Sequence, residues 1–342
     1  MSLNLEETIF IFVLFCLLSW LLNHLILLNR KNISSKLNLI DYPDNKRKIH
    51  KFNTPLIASI PSLIIFNFIC AMYFLYGDTQ VLTLVLLCNF TYIVGFFDDT
   101  KNLSHTTKLL IISIVLLFTL SLTNFLLIDK LYTETHQLFL ILNNFESLIL
   151  TTLCILLLIN AVNLADGINS LVVLIILIWS VYMLCFFEGR YNYILLGLIP
   201  IFIINIYFIF KNKYFLGDSG SLFLGMLIAL ITIDNYNESI INNDYISVEN
   251  LFLLFMIPGI DMLRLFIQRL LNKRNPFSGD TEHLHHYLIK KYTLINSLFI
   301  YGTMIFIPLL AGTFFKINIY FILFFIFLYF VIFFFLKKAK ID

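Results

Sequence analysis

Eleven runs of nearly unbroken apolar residues follow one another along this chain, and they constrain its fold more than any other feature. They cover approximately residues 8–28, 55–76, 81–97, 108–128, 147–165, 170–187, 193–210, 220–233, 250–270, 294–314 and 317–336. A helix that crosses the hydrocarbon of a bilayer needs roughly 20 mostly apolar residues. Lipid offers no partner to an unpaired backbone amide, so such runs must be helical. The spacing therefore predicts an all-α, polytopic membrane helix bundle with about 11 transmembrane helices. Composition agrees, with 60% of residues hydrophobic and only 13% charged, where soluble domains carry about 25% charged residues. No repeat, low-complexity linker or separate soluble segment interrupts the pattern, so residues 1–342 read as a single integral-membrane domain.

The first run follows Glu6 and Glu7 rather than basic residues and lacks a small-residue cleavage site. It reads as a first span, not as a cleaved signal. Cys16, Cys70, Cys88, Cys154 and Cys185 all lie inside apolar runs without CxxC spacing, and are expected to be inert buried thiols.

Lysine and arginine give the orientation. Of the 23 basic residues, all but Lys130, Arg190 and Lys316 fall at the end of or after the odd-numbered runs, or start the next run. That bias predicts the N-terminus outside and the C-terminus in the cytoplasm. The acidic outer segment 234–250, with Asp234, Glu238, Asp244 and Glu249, is expected to be a solvated connector.

The unusual polar clusters all fall on the predicted cytoplasmic side. Gly95-Phe-Phe-Asp98-Asp99 ends the third run and Lys108 starts the fourth. Paired carboxylates leaving a membrane helix suit a cation or a catalytic proton; taken alone, such a pair reads equally as two solvated loop aspartates. Asn160, Asn163 and Asp166 recur every three residues, which places them near one helical face, and Gly167 and Asn169 follow. Helix capping accounts for one or two of these residues, not for four. Gly217-Asp218-Ser219-Gly220-Ser221 follows Phe215 and opens the eighth run. The helix N-terminus there is expected to offer free amides to a phosphate, with Asp218 on Mg²⁺; an N-cap with glycine turns is the plainer reading. His283, His285 and His286 form an HxHH cluster near Asp261, Arg264 and Arg269. It suits phosphate binding, with zinc as the alternative. Asp261 reads as a structural pair with Arg264 or a neighbouring helix. The basic stretch Arg47-Lys48-Ile49-His50-Lys51 reads as a topology signal that touches anionic lipid or attracts a nucleotide.

In order and on one side, these motifs resemble the polyprenyl-phosphate N-acetylhexosamine-1-phosphate transferases, over about residues 41 to 288. The family's DD and following lysine match Asp98, Asp99 and Lys108. Its NxxNxxDG matches Asn160, Asn163, Asp166 and Gly167, its GDxGS matches Gly217 to Ser221, and its HxHH matches His283, His285 and His286. Two positions depart from the pattern: Asn169-Ser170 stands where members often have a second DG, and Ala58-Ser59 where they have a glycine pair.

The resemblance implies transfer of a sugar-1-phosphate, GlcNAc-1-phosphate by default, from a UDP-N-acetylhexosamine to undecaprenyl phosphate, with UMP released. It implies Mg²⁺, with Mn²⁺ able to replace it, on Asp218 and Asn163. Asp98 would deprotonate or place the lipid phosphate, Asp99 would support the metal or the lysine, and Lys108 and His283 would offset charge. Lys48, Asn160, Asp166, Asn169, Phe215, His285 and His286 would bind substrate. Direct attack is preferred over a phospho-aspartate. The implied setting is the bacterial inner membrane with the site facing the cytoplasm. Lipid is expected as a partner, nucleic acid is not, and a homodimer stays open. The competing readings are a phospho-MurNAc-pentapeptide transferase and a multi-span transporter.

Overall fold

The computed structural model describes residues 5–43, 53–275, 281–315 and 319–338. Its helices are α1 (Leu5–Leu37), α2 (Ser59–Leu75), α3 (Val81–Lys101), α4 (His105–Leu122), α5 (Asn144–Ala165), α6 (Leu171–Phe186), α7 (Asn192–Phe210), α8 (Gly217–Asn242), α9 (Val248–Leu271), α10 (Leu284–Lys291), α11 (Leu294–Phe314) and α12 (Ile319–Lys338). Two short antiparallel pairs complete the described residues: β1 (Ile40–Asp41) with β2 (Thr54–Pro55), and β3 (Lys130–Thr133) with β4 (Leu138–Ile141). The fold is an all-α membrane bundle, as the apolar runs require. Nine of the described helices are long and apolar enough to cross a bilayer. Helices α2 and α6 are equally apolar but, at 17 and 16 residues, fall short of about 20. Helix α10 is additional to the eleven runs.

Helix α8 is the axis of the bundle. In its most apolar stretch 89% of residues are buried, against 56% or less in the other long helices. It packs against α3, α5, α6 and α2, while α9 joins α5, α11 and α12, and α10 lies on α11 and α12. Buried Tyr214 ties the start of α8 to the outer helices, with its hydroxyl 2.8 Å from Asn23 Oδ1 and 3.0 Å from Asn205 Oδ1. Asn205 Nδ2 in turn donates to the Ala58 carbonyl at 2.9 Å.

Three expectations are corrected. The fourth apolar run extends to 128, yet α4 stops at Leu122. Leu126, Leu127 and Ile128 continue the run because they are buried, not because they are helical. Asn237 Nδ2 donates to the Phe125 and Leu127 carbonyls, and Thr151 Oγ1 accepts from Ile128 N, so the non-helical backbone is satisfied. Segment 234–250 is not a solvated connector: α8 runs on to Asn242 and α9 begins at Val248. Buried Asp234 accepts from Tyr191 N, and Glu249 accepts from Glu134 N and Thr135 N. Finally, only Cys70 and Cys88 are buried; Cys154 and Cys185 are exposed on the apolar helices α5 and α6, on surface that lipid would cover.

Candidate active site

The site is built where α3 meets α8. A Cβ on Gly95 would lie 2.5 Å from the Asp218 carbonyl and the Ser219 backbone, so only glycine allows this approach. One turn later Asp99 meets the first turn of α8, its Oδ1 accepting from Asp218 N at 2.8 Å and its Oδ2 from Ser219 N at 3.0 Å. A carboxylate on a helix N-terminus is favoured both by hydrogen bonding and by the helix dipole. Gly217, with φ +73°, lets the chain turn into that cap. This corrects two expectations. Two of the amides expected to receive a phosphate already hold Asp99, and Asp99, with both oxygens engaged, supports the helix rather than the lysine.

Lys108 instead lies between the other two carboxylates. Its Nζ donates to Asp98 Oδ2 at 2.7 Å and to Asp218 Oδ2 at 2.5 Å. Ser104 N-caps α4, accepting from Thr107 N, and so sets Lys108 in the first turn, where it is 5% exposed. The three groups come from three helices and make one ion cluster, with Lys108 buried and the two carboxylates partly exposed. Burying the charges costs several kcal/mol per ion, which the pairing offsets. Asn163 reaches the same turn of α8, donating from Nδ2 to Ser221 Oγ at 2.9 Å. Asn160 lies one turn back on α5, half-buried.

Beyond α5 the chain turns through Asp166. Crowding, then the carboxylates of Asp218, Asp99 and Asp41, push its carboxyl well above the usual range. Its side chain is nonetheless exposed, and the three carboxylates act on it in the same direction as the crowding. Asn169 is drawn away from Asp166, donating from Nδ2 to Asn212 Oδ1 at 2.6 Å in the turn before α8. Phe215 is half-buried, and its backbone pairs with Pro55 and Ala58. Ala58 has φ −62°, which any residue adopts, so the missing glycine pair costs the loop nothing.

The histidines arrive on α10. His283 is its N-cap, with Nδ1 2.8 Å from Asp261 Oδ2. Asp261 pairs with Arg264, as expected, and also accepts from Tyr329 of α12 and from Leu284 N. The His283 and His285 rings stack 5.3 Å apart, and His285 lies 4.3 Å from His286. Both His285 nitrogens are buried without a hydrogen-bond partner among the described residues. Burial, then the neighbouring rings of His286 and His283, hold its pKa well below the usual value. His285 is thus neutral and, at 1% exposed, enclosed; it does not meet a phosphate as a cation. Both imidazoles press on Gly167, leaving no room there for a side chain. This contact joins the histidine helix to the turn that carries Asp166.

The structure therefore gathers Asp98, Asp99, Lys108, Asn163, Asp166, Asp218, His283, His285 and His286 around one end of the bundle. Lys48, like the rest of the basic stretch Arg47–Lys51 and like Pro276 to Asp280, lies outside the described residues. Sequence reasoning missed Asp41, whose charge reaches Asp166, and Tyr329, a phenol hidden in a uniform apolar run.

Apolar helices of spanning length, with carboxylates, an ammonium and amides converging at one end, define a multi-pass membrane protein with its polar chemistry at one face. The sequence pattern of glycosyl transferase family 4 matches residues 81–235. It is 28% identical over 271 residues to the Bacillus subtilis (strain 168) "Probable undecaprenyl-phosphate N-acetylglucosaminyl 1-phosphate transferase", covering 76% of this chain and 72% of that protein. It is 24% identical over 291 residues to the Escherichia coli (strain K12) undecaprenyl-phosphate alpha-N-acetylglucosaminyl 1-phosphate transferase, covering 79% and 74%. A phospho-N-acetylmuramoyl-pentapeptide-transferase from Vesicomyosocius okutanii is 29% identical over 224 residues, 55% of this chain and 61% of that protein.

Proposed function

We propose that this protein transfers N-acetylhexosamine-1-phosphate, GlcNAc-1-phosphate first among the candidates, from a UDP-sugar to undecaprenyl phosphate. The products are undecaprenyl-diphospho-sugar and UMP. The observation that carries this reading is Lys108 held between Asp98 and Asp218 at the mouth of a membrane bundle. An ammonium in that place can meet phosphate oxygens, and two carboxylates beside it can accept a proton or a cation.

Both substrates are anions, so charge must be offset before they can approach. An oxygen of the lipid phosphate attacks the phosphorus that bears the sugar. The bond from that phosphorus to the bridging oxygen breaks, and the oxygen leaves with UMP. Asp98 positions the attacking phosphate and accepts its proton if it carries one. Lys108 and His283 meet the charge that builds on the phosphoryl oxygens. Asp166 and Phe215 face the donor's nucleoside end, and the prenyl chain lies between helices.

The donor set fits Mg²⁺, or Mn²⁺: Asp218 and its neighbour Asp98 offer oxygens, and two carboxylates on one ammonium leave the cluster anionic. Among the described residues no three His, Cys, Asp or Glu side chains form a ready cage, which suits an ion that completes its shell with water and substrate phosphates. Bound there it would neutralise the diphosphate and polarise its phosphorus. Asn163 gives its Nδ2 to Ser221, so its amide must turn before its oxygen can join. By the distribution of basic residues, the site faces the cytoplasm of the inner membrane, where UDP-sugars are made.

The test is purified protein with undecaprenyl phosphate, Mg²⁺ and a panel of UDP-N-acetylhexosamines and UDP-MurNAc-pentapeptide, scored by lipid-product mass and UMP. A diphospholipid bearing GlcNAc is expected. Turnover of the pentapeptide donor alone would move the protein to the peptidoglycan branch, and no turnover with any donor would overturn the reading.

A further inference from the structure

Asp261 does more than pair with one arginine. Its Oδ1 receives the Tyr329 hydroxyl at 2.7 Å, Arg264 Nη2 at 2.8 Å and Leu284 N at 3.1 Å. Its Oδ2 faces His283 Nδ1 at 2.8 Å and Leu284 N at 3.3 Å. The carboxylate is 3% exposed. An ionised carboxylate only accepts hydrogen bonds, so His283 Nδ1 must carry the hydrogen. Nε2 is then the nitrogen left for a substrate, and the imidazolium, with Nδ1–H on Asp261 and Nε2–H toward the phosphates, is the form that meets their charge.

We propose that Asp261 is a positioning residue for His283, fixing Nδ1–H on the carboxylate and Nε2 toward the substrate phosphates, and that Tyr329 of the last helix fixes Asp261. This rests on the reading of His283 given above. The tether is built from three elements. Asp261 comes from α9, His283 caps α10, and Tyr329 lies in α12, where it is 1% exposed. Arg264 reinforces it: its guanidinium lies 3.9 Å from the Phe333 ring centroid on α12, and its Nη2 also donates to the Glu282 carbonyl just before His283. A carboxylate behind an imidazole sets the ring's tautomer and angle, and losing it leaves a correctly shaped ring with the wrong nitrogen protonated.

The crowding on Oδ1 makes the test specific. In Asp261→Asn the amide oxygen is drawn to the position where three donors converge. The amide NH₂ then points at His283 Nδ1 and donates to it, so the ring proton moves to Nε2. In ¹⁵N spectra of the imidazole-labelled protein, wild-type His283 is expected to show a protonated Nδ1 and Asp261→Asn an unprotonated one. Its kcat is expected to fall about a hundredfold, with KM for the UDP-sugar within about threefold. A ring that keeps its Nδ1 proton in Asp261→Asn, or a kcat equal to wild type, overturns the proposal. If Asp261→Asn does not insert, Tyr329→Phe carries the test, since it keeps the carboxylate and the ion pair. It is expected to lower kcat about fivefold, the scale of one lost hydrogen bond; an unchanged kcat overturns the tether. The ¹⁵N pattern does not depend on turnover, so a failure of the proposed reaction and a failure of this inference are separable.

Discussion

At the scale of single residues, the two adjacent aspartates do different work. Asp98 meets Lys108 and Asp99 caps α8. Asp98→Asn is therefore expected to cut kcat a hundredfold or so while KM for the UDP-sugar stays within about threefold. Asp99→Asn instead turns an NH₂ against a backbone amide, costing about 1–3 kcal/mol and lowering the melting temperature and activity together. Steady-state UMP release and thermal melts in detergent separate the two. His285 makes a pH prediction. Its folded pKa lies below that of free imidazole, about 6.5, so the unfolded chain takes up the proton first. The stability held by the neutral ring is complete above about pH 6.5 and is lost as pH falls toward the folded pKa. Melting temperature is expected to drop between pH 7.5 and 5.5, and His285→Gln to flatten that slope; parallel slopes would count against an enclosed neutral imidazole.

At the scale of elements, α8 serves both ends of the molecule. At the site end its first turn is capped by Asp99 and supplies Asp218. At the other end Asp234 receives Tyr191 N, and Asn237 satisfies the carbonyls of the chain leaving α4. The α3–α8 approach is exacting, because a Cβ at Gly95 would meet the backbone of Asp218 and Ser219. Gly95→Val should push α3 from α8, pull Asp98 and Asp99 off their partners, and reduce UMP release to below about a tenth, with the protein still in the membrane fraction. Overpacking of this kind costs roughly 1–3 kcal/mol, enough to move helices without unfolding a bundle. Full activity in that variant would mean the site tolerates a looser α3–α8 pair.

At the scale of the whole molecule, the two ends differ in kind. One end holds the ion cluster, the Asp166 turn and the histidine helix. The other holds the β3–β4 hairpin and the Arg190–Glu238 pair. The proposed orientation puts the first end in the cytoplasm. In a cysteine-free background, Asn102→Cys and Asn212→Cys should resist a membrane-impermeant maleimide on intact cells, while His136→Cys and Asp244→Cys should react. The reverse pattern would invert the topology and remove the site from its nucleotide donor.

By itself, the sequence determined that the apolar runs fold as helices and that the polar motifs fall at their ends. A chain in lipid must close its own backbone hydrogen bonds, so long apolar runs become helices wherever they occur. The three-residue spacing of Asn160, Asn163 and Asp166 was legible for the same reason, since it is a property of one helix. Hydropathy failed at residues 123–128 and 234–250, where burial and helicity part, and it missed the short, polar α10. Only the tertiary structure decided that Lys108 pairs with Asp218, 110 positions away, that Asp99 caps a distant helix, and that Tyr329 stands behind His283 through Asp261. Such pairings depend on which helix faces pack together, and no local period encodes that.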